Sequence, residues 1–202
     1  MSISSAEPAN AFTIRLESAH YLLRTIDSAD ATESWAEWLL EPTTARALNA
    51  APLKLDVGMI RSYIATFDRK KSHLLGIFEK EGGTLVGIRA IYIDWAHREF
   101  IVNVLVGEVG ARGKGARSET RDVIYHYLFE DLGLEIARIS VLSTNTPVMR
   151  LVAEAGWTLI HSTYKASATG GPMIEAHEYQ LTRDQNRRLE RKRGLFQQAK
   201  AS

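Results

Sequence analysis

The chain has 202 residues, 45% of them hydrophobic and 24% charged, with a formal net charge of +1 and no cysteine. Such a composition describes an ordinary globular domain, long enough to bury a core without staples. Without cysteine there are no disulfide frameworks, zinc ribbons, iron–sulfur clusters or cysteine nucleophiles. No apolar run approaches the roughly 20 residues that span a bilayer, and the N-terminus lacks the basic and apolar regions of a signal peptide. A cytoplasmic protein without a membrane segment is expected.

In chain order, Phe12 to Leu16 alternates apolar and polar residues like a strand, and Tyr21 to Ile26 is a second extended run. Asp27, Ser28 and Asp30 supply capping chemistry before a helix over Ala31 to Leu40. Leu53 to Phe67 reads as a second helix, with Val57, Ile60, Ile64 and Phe67 at helical spacing. His73 to Phe78 and Leu85 to Trp95 read as strands around a Gly82-Gly83 hairpin turn. Phe100 to Val106 is nearly all apolar, as a central strand is. After a glycine-rich loop, Ser118 to Leu132 forms a helix that Gly133 ends. A short strand follows over Ile136 to Ser143, then a helix from Thr146 to Ala155. A final hairpin joins Trp157 to Ala166 and Met173 to Leu181 through Gly170-Gly171-Pro172. This order predicts one α+β domain over residues 1–182, with a mixed, mostly antiparallel sheet of about seven strands and about four helices.

From Arg183 onward, seven basic residues face two acidic ones, so residues 183–202 carry +5 and leave −4 on the rest. A helical or unstructured tail of this kind suits solvent, a nucleic acid or a ribosome surface.

Chemistry concentrates in Val104-Leu-Val-Gly-Glu-Val-Gly-Ala-Arg112-Gly113-Lys114-Gly115-Ala116-Arg117-Ser118-Glu119, an apolar strand, a glycine loop and a helix start. Backbone N–H groups in such a loop, together with a helix N-terminus, make an anion site. Glycines admit a phosphate closely, and Arg112, Lys114 and Arg117 add positive charge. The physical reading is a pyrophosphate site. A P-loop requires Ser or Thr after its Lys, and here Gly115 follows Lys114.

Arg112-Gly113-Lys114-Gly115-Ala116-Arg117 resembles motif A of the GNAT superfamily of acetyl-CoA-dependent acetyltransferases, Q/R-x-x-G-x-G/A, matching at Arg112 and Gly115. The run through Glu119, the spacing from Asn145 to Gly156-Trp157 and the junction Phe129 to Leu134 look like the RimJ/RimL-type branch, and the element order over 12–181 fits the GNAT fold. The resemblance implies acetyl-CoA as co-substrate, with Val104, Leu105 and Val106 pairing with the pantetheine arm. It implies that Arg112 to Arg117 cradle the pyrophosphate and that Asn145 stands near the pantetheine. As a helix cap, Asn145 is equally well chosen. Two positions depart from the family pattern. Arg117 stands where the family has Gly or Ala, which makes it a clamp on the phosphates or an obstruction. Val152 stands where many members place a tyrosine that protonates the leaving thiolate.

An ammonium must lose its proton before it attacks a thioester. The branch often carries a Glu at the position of Ile101. The candidates that remain are Glu99, Asp94 and Asn103, the last able to orient water or amine. A buried Asn103 would need partners, since an unsatisfied amide costs on the order of 1–3 kcal/mol. His73, His97, His126, His161 and His177 form no i,i+4 ligand pair, so no metal site is expected. Trp35, Trp38, Tyr63 and Phe67 read first as core packing, and in the resembling family their helices wall the acceptor site.

The reading is an N-acetyltransferase acting on a primary amine of a protein N-terminus, polyamine, aminosugar or antibiotic, by direct attack in a ternary complex. Two alternatives are an acyl-CoA-binding module without turnover and a ribosome- or RNA-associated protein acting through the basic tail. The oligomeric state stays open, a homodimer included.

Overall fold

A computed structural model describes residues 7–47, 50–167 and 170–194. Strands β1 (Arg15–Glu17) and β2 (Tyr21–Thr25) form an opening hairpin. Three helices follow: α1 (Glu33–Glu37), α2 (Pro42–Ala47) and α3 (Val57–Ala65). The single helix expected over Ala31 to Leu40 is thus divided. Asp27 and Asp30 cap a 3-10 turn of their own, and Thr32 caps α1. Pro42 cannot continue a helix but suits a first turn, and it opens α2, which sequence periodicity did not reveal. Glu41 accepts the N–H groups of Thr43 and Thr44 at 3.0 and 2.8 Å, in place of a cap. The run from Leu53 shortens to α3 because the Asp56 carboxylate accepts the Met59 N–H at 2.7 Å and fixes the helix start there.

Next come β3 (Ser72–Glu79), β4 (Leu85–Asp94) and β5 (Glu99–Val106). Helix α4 (Ala116–His126) runs on through π turns to Asp131, then β6 (Ile136–Leu142) and α5 (Thr146–Glu154) follow. The strands β7 (Thr158–Lys165) and β8 (Ile174–Thr182) pair as a hairpin, and α6 (Arg183–Lys192) ends the described chain. The sheet holds eight strands in the order β1-β2-β3-β4-β5-β6-β8-β7, one more than the expected total of about seven, because both opening extended runs join it, as β1 and β2. Among the described residues there are six helices rather than about four. Every neighbouring pair is antiparallel except β5 and β6.

Alternation along the strands splits the core in two. On one face Trp35, Trp38, Ile60 and Phe67 of the α1–α3 region cover Leu74, Phe78, Ile88 and Ala90. On the other, Ile124, Tyr125 and Phe129 cover Leu75, Ile77, Phe100 and Val102. Phe100 meets Tyr125 and Phe129 edge to face at 5.5 and 4.9 Å, a favoured aromatic geometry. His73 lies on this second face, fully buried against Phe12. Among the described residues neither of its ring nitrogens has a hydrogen-bond partner. Burial lowers its pKa to about 4, since the charged ring would lose its hydration.

Helix α6 is not a loose tail. Thr182 and Gln185 form a capping box at its start. Arg187 forks onto Glu130 at 2.9 and 2.7 Å, and Arg193 reaches Asp122. Arg183 donates to the Leu134 carbonyl. Several of the charges that made residues 183–202 look like a polyanion-binding arm are therefore spent inside the chain. The end of that tail, residues 195–202, lies outside the described residues. No helix among the described residues is long and apolar enough to cross a membrane.

Candidate active site

Strands β5 and β6 stay together over three residue pairs, Glu99 with Ile136, Phe100 with Ala137 and Ile101 with Arg138. Beyond them β5 pairs with β4 alone and β6 with β8 alone. The backbone edges of Val102–Val106 and of Ile139–Leu142 therefore face an opening instead of a ladder. Unpaired backbone donors and acceptors call for a partner, and an extended amide-bearing chain supplies one. Glu99 sits at the closed end of this opening. Arg138 forks onto its carboxylate at 2.6 and 2.9 Å, bracing the two strands. The same ion pair raises the Arg138 pKa further. Glu99 does not line the cavity described below.

At the open end the chain turns through Val109–Ala111 into the glycine loop. Gly113 and Gly115 have φ of 77° and 89°, a left-handed backbone that favours glycine. A Cβ on Gly113 would meet nothing within 4 Å, so the backbone there is open to close approach. The Tyr21 hydroxyl donates to the Lys114 carbonyl at 3.1 Å. Arg89, buried beneath, donates to the Arg117 carbonyl and to the Thr120 hydroxyl. Two loop carbonyls are thus held from below, and Gly115 gives α4 no side-chain cap. The first N–H groups of α4 remain for an anion. Ala116, buried at the helix start, fixes the turn against the core. These features fit a pyrophosphate.

The three cations expected here reduce to two. Lys114 and Arg117 are exposed at the loop. Arg112 turns inward instead: its guanidinium donates to Glu41 at 3.1 Å, to the Thr44 hydroxyl at 2.7 Å and to the Gly107 carbonyl at 3.2 Å. The Thr43 backbone N–H, followed by the Thr44 donors, holds the Glu41 carboxyl far below the usual carboxylate range. Arg112 therefore ties α2 to the end of β5. Sequence alone did not reveal Glu41, because it stands 71 positions from its partner.

Asn145 caps α5, its side-chain oxygen accepting the Val148 N–H at 3.4 Å. Val152 is buried in the same helix, so that position offers no phenol. Asn103 is exposed, so the cost of burying an unpaired amide does not arise. Opposite Ala90 in register, it lines a cavity of about 440 Å³ between β4, β5 and the first helices. Trp35, Trp38, Tyr63 and Tyr92 share that wall, so the aromatic residues serve core and cavity together; Phe67 stays in the core, in ring contact with Tyr63 and Tyr92. Tyr63 is 41% exposed. Burial, then the neighbouring Tyr92, pushes its phenol up to about 12, so it is protonated at neutral pH. The Trp38 indole donates to Glu108 at 3.1 Å, and the Ser34 hydroxyl donates to the same oxygen. A Cβ on Gly107 would lie 1.8 Å from the Trp38 ring, so this position requires glycine.

Residues 20–158 match the family model described as an acetyltransferase (GNAT) domain. The chain belongs to the GNAT acetyltransferase family, and it is an N-acetyltransferase. Solved structures agree in fold. An acetyltransferase of the GNAT family from Bacillus anthracis superposes with a TM-score of 0.70 at 14% identity, covering 85% of this chain and 99% of that one. A spermidine N-acetyltransferase from Vibrio cholerae, in complex with CoA and spermine, gives 0.71 at 13% identity, covering 83% and 98%. A ribosomal-protein-S5-alanine acetyltransferase from Vibrio fischeri gives 0.66 at 14% identity, covering 85% and 97%. No curated protein matches the chain in sequence.

Proposed function

We propose that the protein transfers an acetyl group from acetyl-CoA to a primary amine by direct attack in a ternary complex. The observation that carries this reading is the parting of β5 from β6 after three residue pairs, with an uncapped glycine loop at its open end. Acetyl-CoA supplies the activated acyl group. Val104, Leu105 and Val106 offer their free backbone edge to the pantetheine amides. Gly113 to Arg117 and Lys114 receive the pyrophosphate, and Asn145 stands by the pantetheine at the start of α5. Asn103 orients the incoming amine or a water beside it. The amine nitrogen forms the new C–N bond, the C–S electrons leave with the thiolate, and the nitrogen proton passes through water to that thiolate. Rate comes from proximity and from backbone donors on the thioester oxygen.

Glu99 enters this reading as the brace that sets the opening, not as a base, because Arg138 occupies its carboxylate. The loop sequence and the Asn145-to-Gly156 spacing support placement in the RimJ/RimL-type branch. Titration calorimetry with acetyl-CoA, with ADP as partial ligand, tests the cofactor side. Micromolar affinity, with part of it retained by ADP, is expected. No heat of binding at millimolar acetyl-CoA overturns the reading.

A further inference from the structure

We propose that the acceptor is a weakly basic amine, an arylamine or hydrazine, carried on an apolar or aromatic body. This rests on the transferase reading and concerns its acceptor side alone.

The cavity beside Asn103 has the size of a small-molecule site. Its walls are Trp35, Trp38, Met59, Tyr63 and Tyr92, with aliphatic residues between them, and its polar side-chain groups are the Asn103 amide, two phenols and two indole N–H groups, that of Trp38 spent on Glu108. Among the described residues no Asp, Glu or His lines it. Glu33 and Glu37, beside Trp35 and Trp38, are exposed and do not line the cavity, and four other carboxylates close to its walls in sequence are engaged. Glu108 accepts from Trp38 and Ser34, Glu41 from Arg112, Asp56 caps α3, and Glu99 holds Arg138.

An alkylamine arrives at neutral pH as an ammonium. To enter this cavity it must shed water without gaining a counter-charge, which is costly. The indole and phenol faces could hold a cation by cation–π attraction. Held that way it keeps its proton and has no lone pair to attack with, and no lining side chain accepts that proton. A weakly basic amine is already neutral, so it needs neither counter-charge nor base. Its flat ring matches the aromatic walls. On attack its lone pair forms the C–N bond, the C–S bond breaks toward sulfur, and the now strongly acidic nitrogen gives its proton through water to the thiolate. The products are an N-aryl acetamide and CoA thiol, with no protein group changing its protonation.

The test measures thiol release by the full chain from acetyl-CoA, with 5-aminoindole, tryptamine and spermidine as acceptors. The first two share a ring system and differ in amine basicity. We expect kcat/KM for 5-aminoindole at pH 7 to exceed that for tryptamine by about tenfold or more, and to stay level from about pH 6 to pH 8. Equal or better turnover of tryptamine or spermidine overturns the proposal. So does the absence of any acetylated arylamine while calorimetry shows acetyl-CoA bound. Failure to bind acetyl-CoA instead overturns the transferase reading beneath it. Met59 is 52% exposed at the cavity rim, so Met59→Glu adds a carboxylate without burying it. The ratio of spermidine to 5-aminoindole turnover should rise several-fold, and an unchanged ratio removes the claim that missing negative charge sets the choice.

Discussion

On one side of β5 stand the glycine loop and the N-terminus of α4; on the other lie α1–α3 and the aromatic cavity. The first site is built from backbone. Its donors are N–H groups, and its side chains Tyr21 and Arg89 work from below by holding carbonyls. The second is built from side chains, and its polar side-chain groups are one amide, two phenols and two indole N–H groups, with no charge among them. Backbone recognition reads what every CoA ester shares, a pyrophosphate and two amides, and tolerates sequence change. Side-chain recognition is suited to reading one particular acceptor.

If the α4 face is a dry structural layer, its buried titratable group should show this most strongly. His73 has a folded pKa of about 4 against 6.5 in the unfolded chain. The unfolded state therefore binds the extra proton, and stability rises with pH across that window. The contribution is complete above about pH 6.5 and is lost as the pH falls toward about 4, a change of about 3 kcal/mol. Denaturant unfolding of the wild type and of His73→Leu should show that difference, with the variant the flatter of the two. Parallel curves would mean that the ring finds a proton acceptor.

The contact between the two sides comes next. Gly107→Ala drives a Cβ into the Trp38 ring, and overpacking of this kind costs about 1–3 kcal/mol. Because Trp38 also holds Glu108, acetyl transfer should fall more than acetyl-CoA affinity does. Equal losses in both would show that Gly107 serves the loop alone.

Arg112→Ala is expected to be milder. Its ion pair with Glu41 is about one-third exposed, so removing it should lower stability by about 1 kcal/mol. ADP affinity should barely change, since the guanidinium faces α2 rather than the loop. A tenfold loss of ADP affinity would return Arg112 to the phosphates.

Much of the backbone-built side was legible in advance. The apolar run Phe100 to Val106, followed by glycines at positions that need positive φ, leaves few alternatives to a central strand and an anion turn. The opening between β5 and β6 was not legible, because it depends on pairing that stops after Arg138. Nor was the inward turn of Arg112, whose residue type suits phosphate and carboxylate equally well. Its partners are Glu41, just before α2, and Thr44 within that helix, which has six residues and no apolar repeat. The cavity was half visible. Trp35, Trp38 and Tyr63 stood out as aromatics, yet helical spacing alone describes core and pocket in the same way. Among apolar neighbours Asn103 could be a buried amide or a site residue, and the structure leaves it exposed beside the cavity.

The smallest effects concern the two exposed cations of the loop. Arg117 replaces a small residue of the family motif, and the structure bears on whether it clamps or obstructs. Its carbonyl is fixed by Arg89, while its side chain extends from the first turn of α4 with no carboxylate of the described residues bonded to it. A side chain so placed can swing onto a phosphate without blocking the N–H groups beneath. Arg117→Ala and Lys114→Ala should each weaken acetyl-CoA by a few-fold, about 0.5–1 kcal/mol, as exposed charges do. The losses should shrink as salt rises, because screening removes what the cations add but not what the backbone holds. Tighter binding by Arg117→Ala would make the residue an obstruction. Loss of all affinity in either variant would mean that charge, not backbone, carries this side of β5, and the contrast between its two sides would then be one of charge alone.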